Sequence, residues 1–225
     1  MVAPVTRLAP VSRRAVAAWM ALGVCSLARA QGTASAPKGA ASAAALLSYP
    51  DPRLRLQGAA LVRALREGGL VIYFRHAATD FSKNDQAMLD YEDCANQRPL
   101  TEQGRRDARA VGQCIAQLKL PVGIVKASPM CRTMEHAKLM LGMATPTITM
   151  RELSEGEYIG LKRLLSAPVP MGINRWMVGH GIPFRAVAGP PLLVEGESVV
   201  LRPHGDGWTV LARLTVADWL ALSER

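Results

Sequence analysis

The chain has 225 residues, 49% of them hydrophobic and 20% charged, with a formal net charge of +9. That length suits one domain with a sizeable core. The basic residues are scattered rather than gathered in a stripe, and only 5% of residues are aromatic, which argues against a nucleic-acid platform; a modest positive excess suits an anionic substrate.

Residues 1–30 read as an export signal. They hold Arg7, Arg13, Arg14 and Arg29 and no acid, which accounts for four of the nine net positive charges. Arg13-Arg14 forms a positive n-region, residues 15–27 are apolar, and Ala28-Arg29-Ala30 is an A-x-A cleavage site before Gln31. The apolar run is too short to span a bilayer, so no stable membrane insertion is expected once the signal is removed. Ser12-Arg13-Arg14 hints weakly at the twin-arginine route. Val24 before Cys25 is too bulky for a lipoprotein site. The expected destination is exported, periplasmic or secreted. Residues 31–49, mostly Ala, Ser and Gly, read as a flexible linker. Residues 50–225 form the expected catalytic domain.

Within that domain Asp51-Pro52 opens a helix with Leu54, Leu61, Val62 and Leu65 on one face, and Gly68-Gly69 ends it. Residues 70–76 read as a strand buried on both faces, running directly into Arg75-His76. Residues 78–98 are polar and aperiodic, a long loop of the kind that is usually functional or mobile. Thr101 caps a second helix carrying Ala108, Val111, Ile115 and Leu118. A strand follows over 122–127, then a third helix with Ser128 as its N-cap and Pro129 at its first position. A short strand is expected over 147–150, a short helix over 158–166, a buried strand over 175–178 ending at Gly179-His180-Gly181, and a helix from Ile182. Residues 198–202 and 208–214 flank His204-Gly205-Asp206-Gly207 as a hairpin, and 216–222 closes the chain as a helix. Strands alternating with helices predict a three-layer α/β/α sandwich with a mostly parallel sheet and an antiparallel edge hairpin.

With the signal removed, three cysteines remain. Export permits one disulfide. Cys114 sits among apolar helix positions and is expected to be buried. A bridge between Cys94 and Cys131 is one arrangement that the sequence leaves open. None of the three has zinc-ligand spacing.

The chemistry gathers at strand ends, where open α/β sheets place their ligands. Arg75 and Arg132 are planar forks suited to oxyanions, and Arg132 adds its charge to the free N–H groups of a helix start. His76 and His180 are imidazoles at strand ends. Glu152, in Arg151-Glu152-Leu153, supplies a carboxylate. Two forks neutralise nonbridging oxygens, one imidazole attacks phosphorus and a carboxylic acid protonates the leaving oxygen; this phosphoryl transfer demands no metal and no cofactor. Taken singly, each of these residues is as well read as an ordinary structural side chain. His136 is expected on an exposed helix face, and His204 in a solvated turn.

In order along the chain, Arg75-His76-Ala77-Ala78-Thr79, Pro99-Leu100-Thr101-Glu102-Gln103-Gly104, Ser128-Pro129-Met130-Cys131-Arg132-Thr133, Arg151-Glu152-Leu153 and Gly179-His180-Gly181 resemble the motifs of the histidine phosphatase superfamily, the phosphoglycerate-mutase-like fold. The resemblance covers roughly residues 68–190. It implies His76 as a nucleophile forming a phosphohistidine, with Arg75, Arg132 and His180 lining the phosphate pocket. It further implies Glu152 as proton donor, Thr79 as a hydrogen-bond partner near the phosphate, and Asn96 as a phosphate or substrate contact. Ala77 replaces the glycine usual after Arg-His, and Asn96-Gln97-Arg98 lacks the acid common in mutase-like members. Short connections leave little material for a lid, which favours a phosphatase over a mutase. The expected substrate is a phosphorylated small molecule or envelope component. The alternatives are a non-catalytic phosphate or phospholigand binder on the same fold, and a phosphomutase.

Overall fold

In the computed structural model, which describes residues 55–151 and 158–223, the run Val71–Arg75 forms β1, an interior strand of a six-stranded sheet. The other strands are β2 (Val122–Ala127), β3 (Thr145–Pro146), β4 (Asn174–Gly179), β5 (Ser198–Pro203) and β6 (Trp208–Leu214), in spatial order β3-β2-β4-β1-β5-β6. The first four of that order pair in parallel; β5 and β6 run antiparallel and close one edge as a hairpin. This is the mixed α/β sheet expected from the sequence.

The period-two alternation of β1 divides its side chains between two cores. Ile72 and Phe74 join Trp176, Val178 and Val200 on one face; Val71 and Tyr73 join Met177, Val199 and Leu201 on the other. The first face is covered by four helices: α1 (Gly58–Glu67), α2 (Glu102–Gln117), α3 (Cys131–Leu141) and α6 (Val216–Ser223). The second is covered by α4 (Ile159–Ser166) and α5 (Gly181–Ala188). Phe74 stacks with Trp176 and Trp219 at centroid distances of 6.4 and 5.8 Å, all three fully buried. Burying each such side chain contributes roughly 1.5–3 kcal/mol. Neither face of β1 meets water, which explains its uninterrupted apolar sequence.

Three local expectations are corrected. The third helix begins at Cys131 with Met130 as its N-cap, because the Ser128 hydroxyl is engaged with His180 instead of the helix end. The short strand expected over 147–150 lies at Thr145–Pro146, and Ile148–Met150 forms a 3-10 turn; Pro146, lacking an N–H, fits this edge position. His136, expected to be exposed, is 2% exposed, because the helix face that carries it packs on β1. Thr101 caps α2 as expected, its Oγ1 accepting from the Gly104 N–H at 3.0 Å. The signal, the linker and the Asp51-Pro52 helix start lie outside the described residues. Among those described, no helix is long and apolar enough to cross a membrane.

Candidate active site

Strand register brings the Arg75-His76 and Gly179-His180 motifs together. Arg75 pairs with Gly179 across the parallel β1–β4 ladder, so His76 and His180 leave the sheet side by side. Their rings sit 5.5 Å apart at 70°. The neighbouring β2–β4 ladder ends at Ala127 opposite Val178, which delivers Ser128 to the same edge. The His180 Nε2 lies 2.8 Å from Ser128 Oγ, and the Tyr73 hydroxyl clamps the His180 backbone by accepting its N–H at 2.8 Å and donating to its carbonyl at 2.9 Å. Gly179 is required here, since a Cβ would strike the Tyr73 hydroxyl.

The backbone around His76 is held on three sides. Its N–H donates to Gly179 O at 3.0 Å and its carbonyl accepts from Gly196 N at 3.0 Å. Ala77 donates its N–H to His136 Nδ1 at 3.0 Å. The Ala78 carbonyl accepts from both the N–H and the hydroxyl of Thr101, and a Cβ at Gly104 would collide with that carbonyl. The Thr101-Glu102-Gln103-Gly104 motif is therefore the seat of the His76 loop. Ala77 does not adopt the positive φ that would call for glycine, so this loop accepts alanine without strain.

His76 is 2% exposed, and its Nδ1 lies 3.0 Å from Ala77 O. That contact assigns the proton to Nδ1 and leaves a lone pair on Nε2. Burial pushes the His76 pKa down to about 3, opposed by the Ala77 bond and assisted by Arg132, Arg75 and Arg98. Burial, reinforced by His76, Arg132, Arg151 and Arg75, holds His180 well below the ordinary histidine range. Both rings are neutral near pH 7, as a nitrogen nucleophile requires.

Arg75, the last residue of β1, donates from Nη1 to Leu193 O at 2.8 Å and approaches Glu195 at 3.6 Å. Arg132, in the first turn of α3, is 3% exposed and forks onto Asp85 at 2.9 and 3.1 Å. Both arginines, together with His76 and His180, line a cavity of about 370 Å³; Arg98 and Arg151 line it as well. The Nε atoms of Arg75, Arg98 and Arg132 are buried without a partner. Four guanidinium groups and two neutral imidazoles around one small space make it suited to an anion.

Two further residues named from the sequence are occupied elsewhere. Thr79 donates its hydroxyl to Glu195 at 2.6 Å and supports the loop from behind. Asn96 is exposed and donates to the Asp93 carboxylate; it does not line the cavity, and Arg98 two residues later does. Glu152 lies outside the described residues, but the residues flanking that segment, Arg151 and Tyr158, both line the cavity. Glu195, Asp85 and His136 were not foreseen as site residues. Glu195 reaches Thr79 across 116 positions and Asp85 reaches Arg132 across 47, so no local pattern signals either. Cys94 and Cys131 form a disulfide, and Cys114 is free and buried. Among the described residues no group of three or more His, Cys, Asp or Glu is placed to hold a metal ion.

A family model described as the histidine phosphatase superfamily (branch 1) matches residues 71–188, just over half of the chain. No curated protein matches. Among solved structures the chain is similar to a protein assigned as the phosphohistidine phosphatase SixA from Agrobacterium tumefaciens, at 16% identity and a TM-score of 0.48 over 65% of this chain and 98% of that one. It is similar to the protein histidine phosphatase SixA complexed with tungstate, at 15% identity and a TM-score of 0.48 over 66% and 98%. A third is a phosphoserine phosphatase from Entamoeba histolytica in complex with 3-phosphoglyceric acid, at 13% identity and a TM-score of 0.47 over 67% and 99%. The family model runs through both strand-end histidines and both forked arginines, and on that ground the chain belongs to branch 1 of the histidine phosphatase superfamily.

Proposed function

We propose that the protein is an exported phosphatase that hydrolyses phosphomonoesters through a phosphohistidine on His76. The observation that carries this reading is the His76 ring itself: neutral, buried, its Nδ1 hydrogen committed to Ala77 O, and set in a cavity lined by Arg75, Arg132 and His180. The free Nε2 lone pair attacks phosphorus, and the bond to the leaving oxygen breaks. Glu152 or a neighbouring acid of the 152–157 segment gives that oxygen its proton. Water then attacks the phosphohistidine, the P–N bond breaks and inorganic phosphate leaves. Arg75, Arg132 and His180 stabilise the charge on the nonbridging oxygens.

Phosphate release from an aryl phosphate tests the reading. The wild-type chain is expected to release free phosphate, and His76→Ala to lose at least about a thousandfold in kcat, the scale on which enzymes lose a covalent nucleophile. Comparing E152Q, E155Q and E157Q locates the acid as the variant with the largest loss toward poor leaving groups. Release of no phosphate by the folded wild type would favour a binding protein, and migration of phosphate within the substrate a mutase.

A further inference from the structure

A single phosphoryl group needs two arginine forks, and this cavity is lined by four arginines. Arg75 and Arg132 already face carboxylates, Glu195 at 3.6 Å and Asp85 at 2.9 Å. Among the described residues neither the Arg98 nor the Arg151 guanidinium makes a hydrogen bond or an ion pair, although Arg98 lies within the field of Asp85. Arg98 lies over the ring of Phe81, 4.6 Å from its centroid, with its Nε buried and unpartnered. Phe81 is 69% exposed, an odd place for a large aromatic unless its face has work to do. As a platform it holds the guanidinium plane at the cavity while leaving the N–H edges free. Arg151 lines the same cavity. Unpartnered like charges around one small space repel, and an anion between them relieves this.

We propose that Arg98 and Arg151 form a second anion subsite beside the phosphoryl pocket, so that the preferred substrates are phosphomonoesters whose leaving group carries a second anionic group, a phosphate or a carboxylate. The proposal rests on the phosphatase reading for the position of the scissile phosphate. The specificity it describes is one of charge. A neutral leaving group would fill the same space and leave both arginines uncompensated.

Three probes of matched length separate the cases: 3-hydroxypropyl phosphate, 3-phosphooxypropanoate and propane-1,3-diyl bisphosphate. Their affinities for the full chain carrying His76→Ala are measured by calorimetry, where no turnover intervenes. Both doubly anionic probes are expected to bind about tenfold or more tightly than the neutral one, the effect of one charge-assisted hydrogen bond. Adding R98M and R151M is expected to bring the three affinities together, whereas R106M, which removes an exposed charge from α2, keeps the preference. If His76→Ala does not fold, kcat/KM of the wild-type chain for the same probes is compared, with the same ordering expected. Equal affinities for all three probes, or a preference that survives the loss of both arginines, would overturn the proposal. A clear binding preference without phosphate release from any probe would overturn the phosphatase reading and leave the subsite standing.

Discussion

Among the described residues, Glu195 is the carboxylate that reaches the nucleophile. It accepts both the hydroxyl and the N–H of Thr79, at 2.6 and 3.2 Å, stands 3.6 Å from Arg75 Nη2 and lies 3.8 Å from His76 Nδ1. A negative charge there favours the cationic ring that forms when Nε2 takes up a phosphoryl group, and it fixes the loop that aims the ring. Glu195→Gln keeps the shape and removes the charge. It is expected to lower kcat by about ten- to a hundredfold, the range for a hydrogen bond to a charged group, with a smaller change in KM. Steady-state kinetics checks this; a kcat within twofold of wild type would show that Glu195 has no part in positioning His76. Arg75, His76, Arg132 and His180 were legible because each sits at or directly after the end of a strand or in the first turn of a helix, so that local sequence places its backbone. Glu195, Asp85, His136 and Arg98 were not, because their roles come from approaches between segments far apart in the chain: loop to loop or loop to helix for the first two and Arg98, and α3 to the His76 loop for His136.

The connection between β1 and α2 is the element on which the site depends. It supplies Thr79, Phe81, Asp85 and Arg98, and has little regular structure beyond the 3-10 turn Cys94–Asn96. Asp85 ties it to α3 by the fork on Arg132, and braces the loop internally by accepting the Arg98 N–H at 2.9 Å. Gln97 adds a second tie, accepting the Cys131 N–H at 2.8 Å while donating to Tyr91 O at 3.0 Å. The Cys94–Cys131 bridge makes the attachment covalent across 37 residues. Replacing both cysteines by serine is expected to cost about 2–4 kcal/mol of stability and to raise KM by loosening Arg98 and Arg132. Urea unfolding alongside kinetics measures both; an unchanged midpoint and an unchanged KM would show that the loop is held without the bridge. The long loop and the two cysteines were visible in the sequence. The pairing was not, since it depends on how the loop folds back over the start of α3. The helix start itself was misplaced because Ser128, which reads as a cap, is drawn away by His180, a contact across 52 positions.

At the scale of the whole molecule, the sheet sandwiched between two cores gives His76, His136 and His180 their burial. Ordinary histidines titrate near pH 6.5; here His76 is pushed down to about 3, His136 to about 4, and His180 well below its usual value, with burial the leading cause in each. The folded chain thus keeps its rings neutral where the unfolded chain binds protons. The stability this represents is complete above pH 6.5 and is lost as pH falls toward 4 and below. The slope is at most about 1.4 kcal/mol per pH unit for each ring. The melting temperature is therefore expected to fall steadily from about pH 7 to about pH 4.5, a window above the ordinary carboxylate range. A flat profile would show that the rings are protonated in the folded state. The alternation that divides β1 between two cores, and the strand–helix order that predicts a mostly parallel sheet, were readable in sequence, since both follow from which residues avoid water.

The most direct test is to trap the covalent intermediate. Wild-type protein is mixed with a 32P-labelled phosphomonoester and quenched in alkali, where phosphohistidine survives. The labelled peptide is then mapped. One acid-labile phosphate on His76, absent from His76→Ala, is the predicted result. Label on another residue, or steady phosphate release with no label on His76 at any quench time, would contradict it.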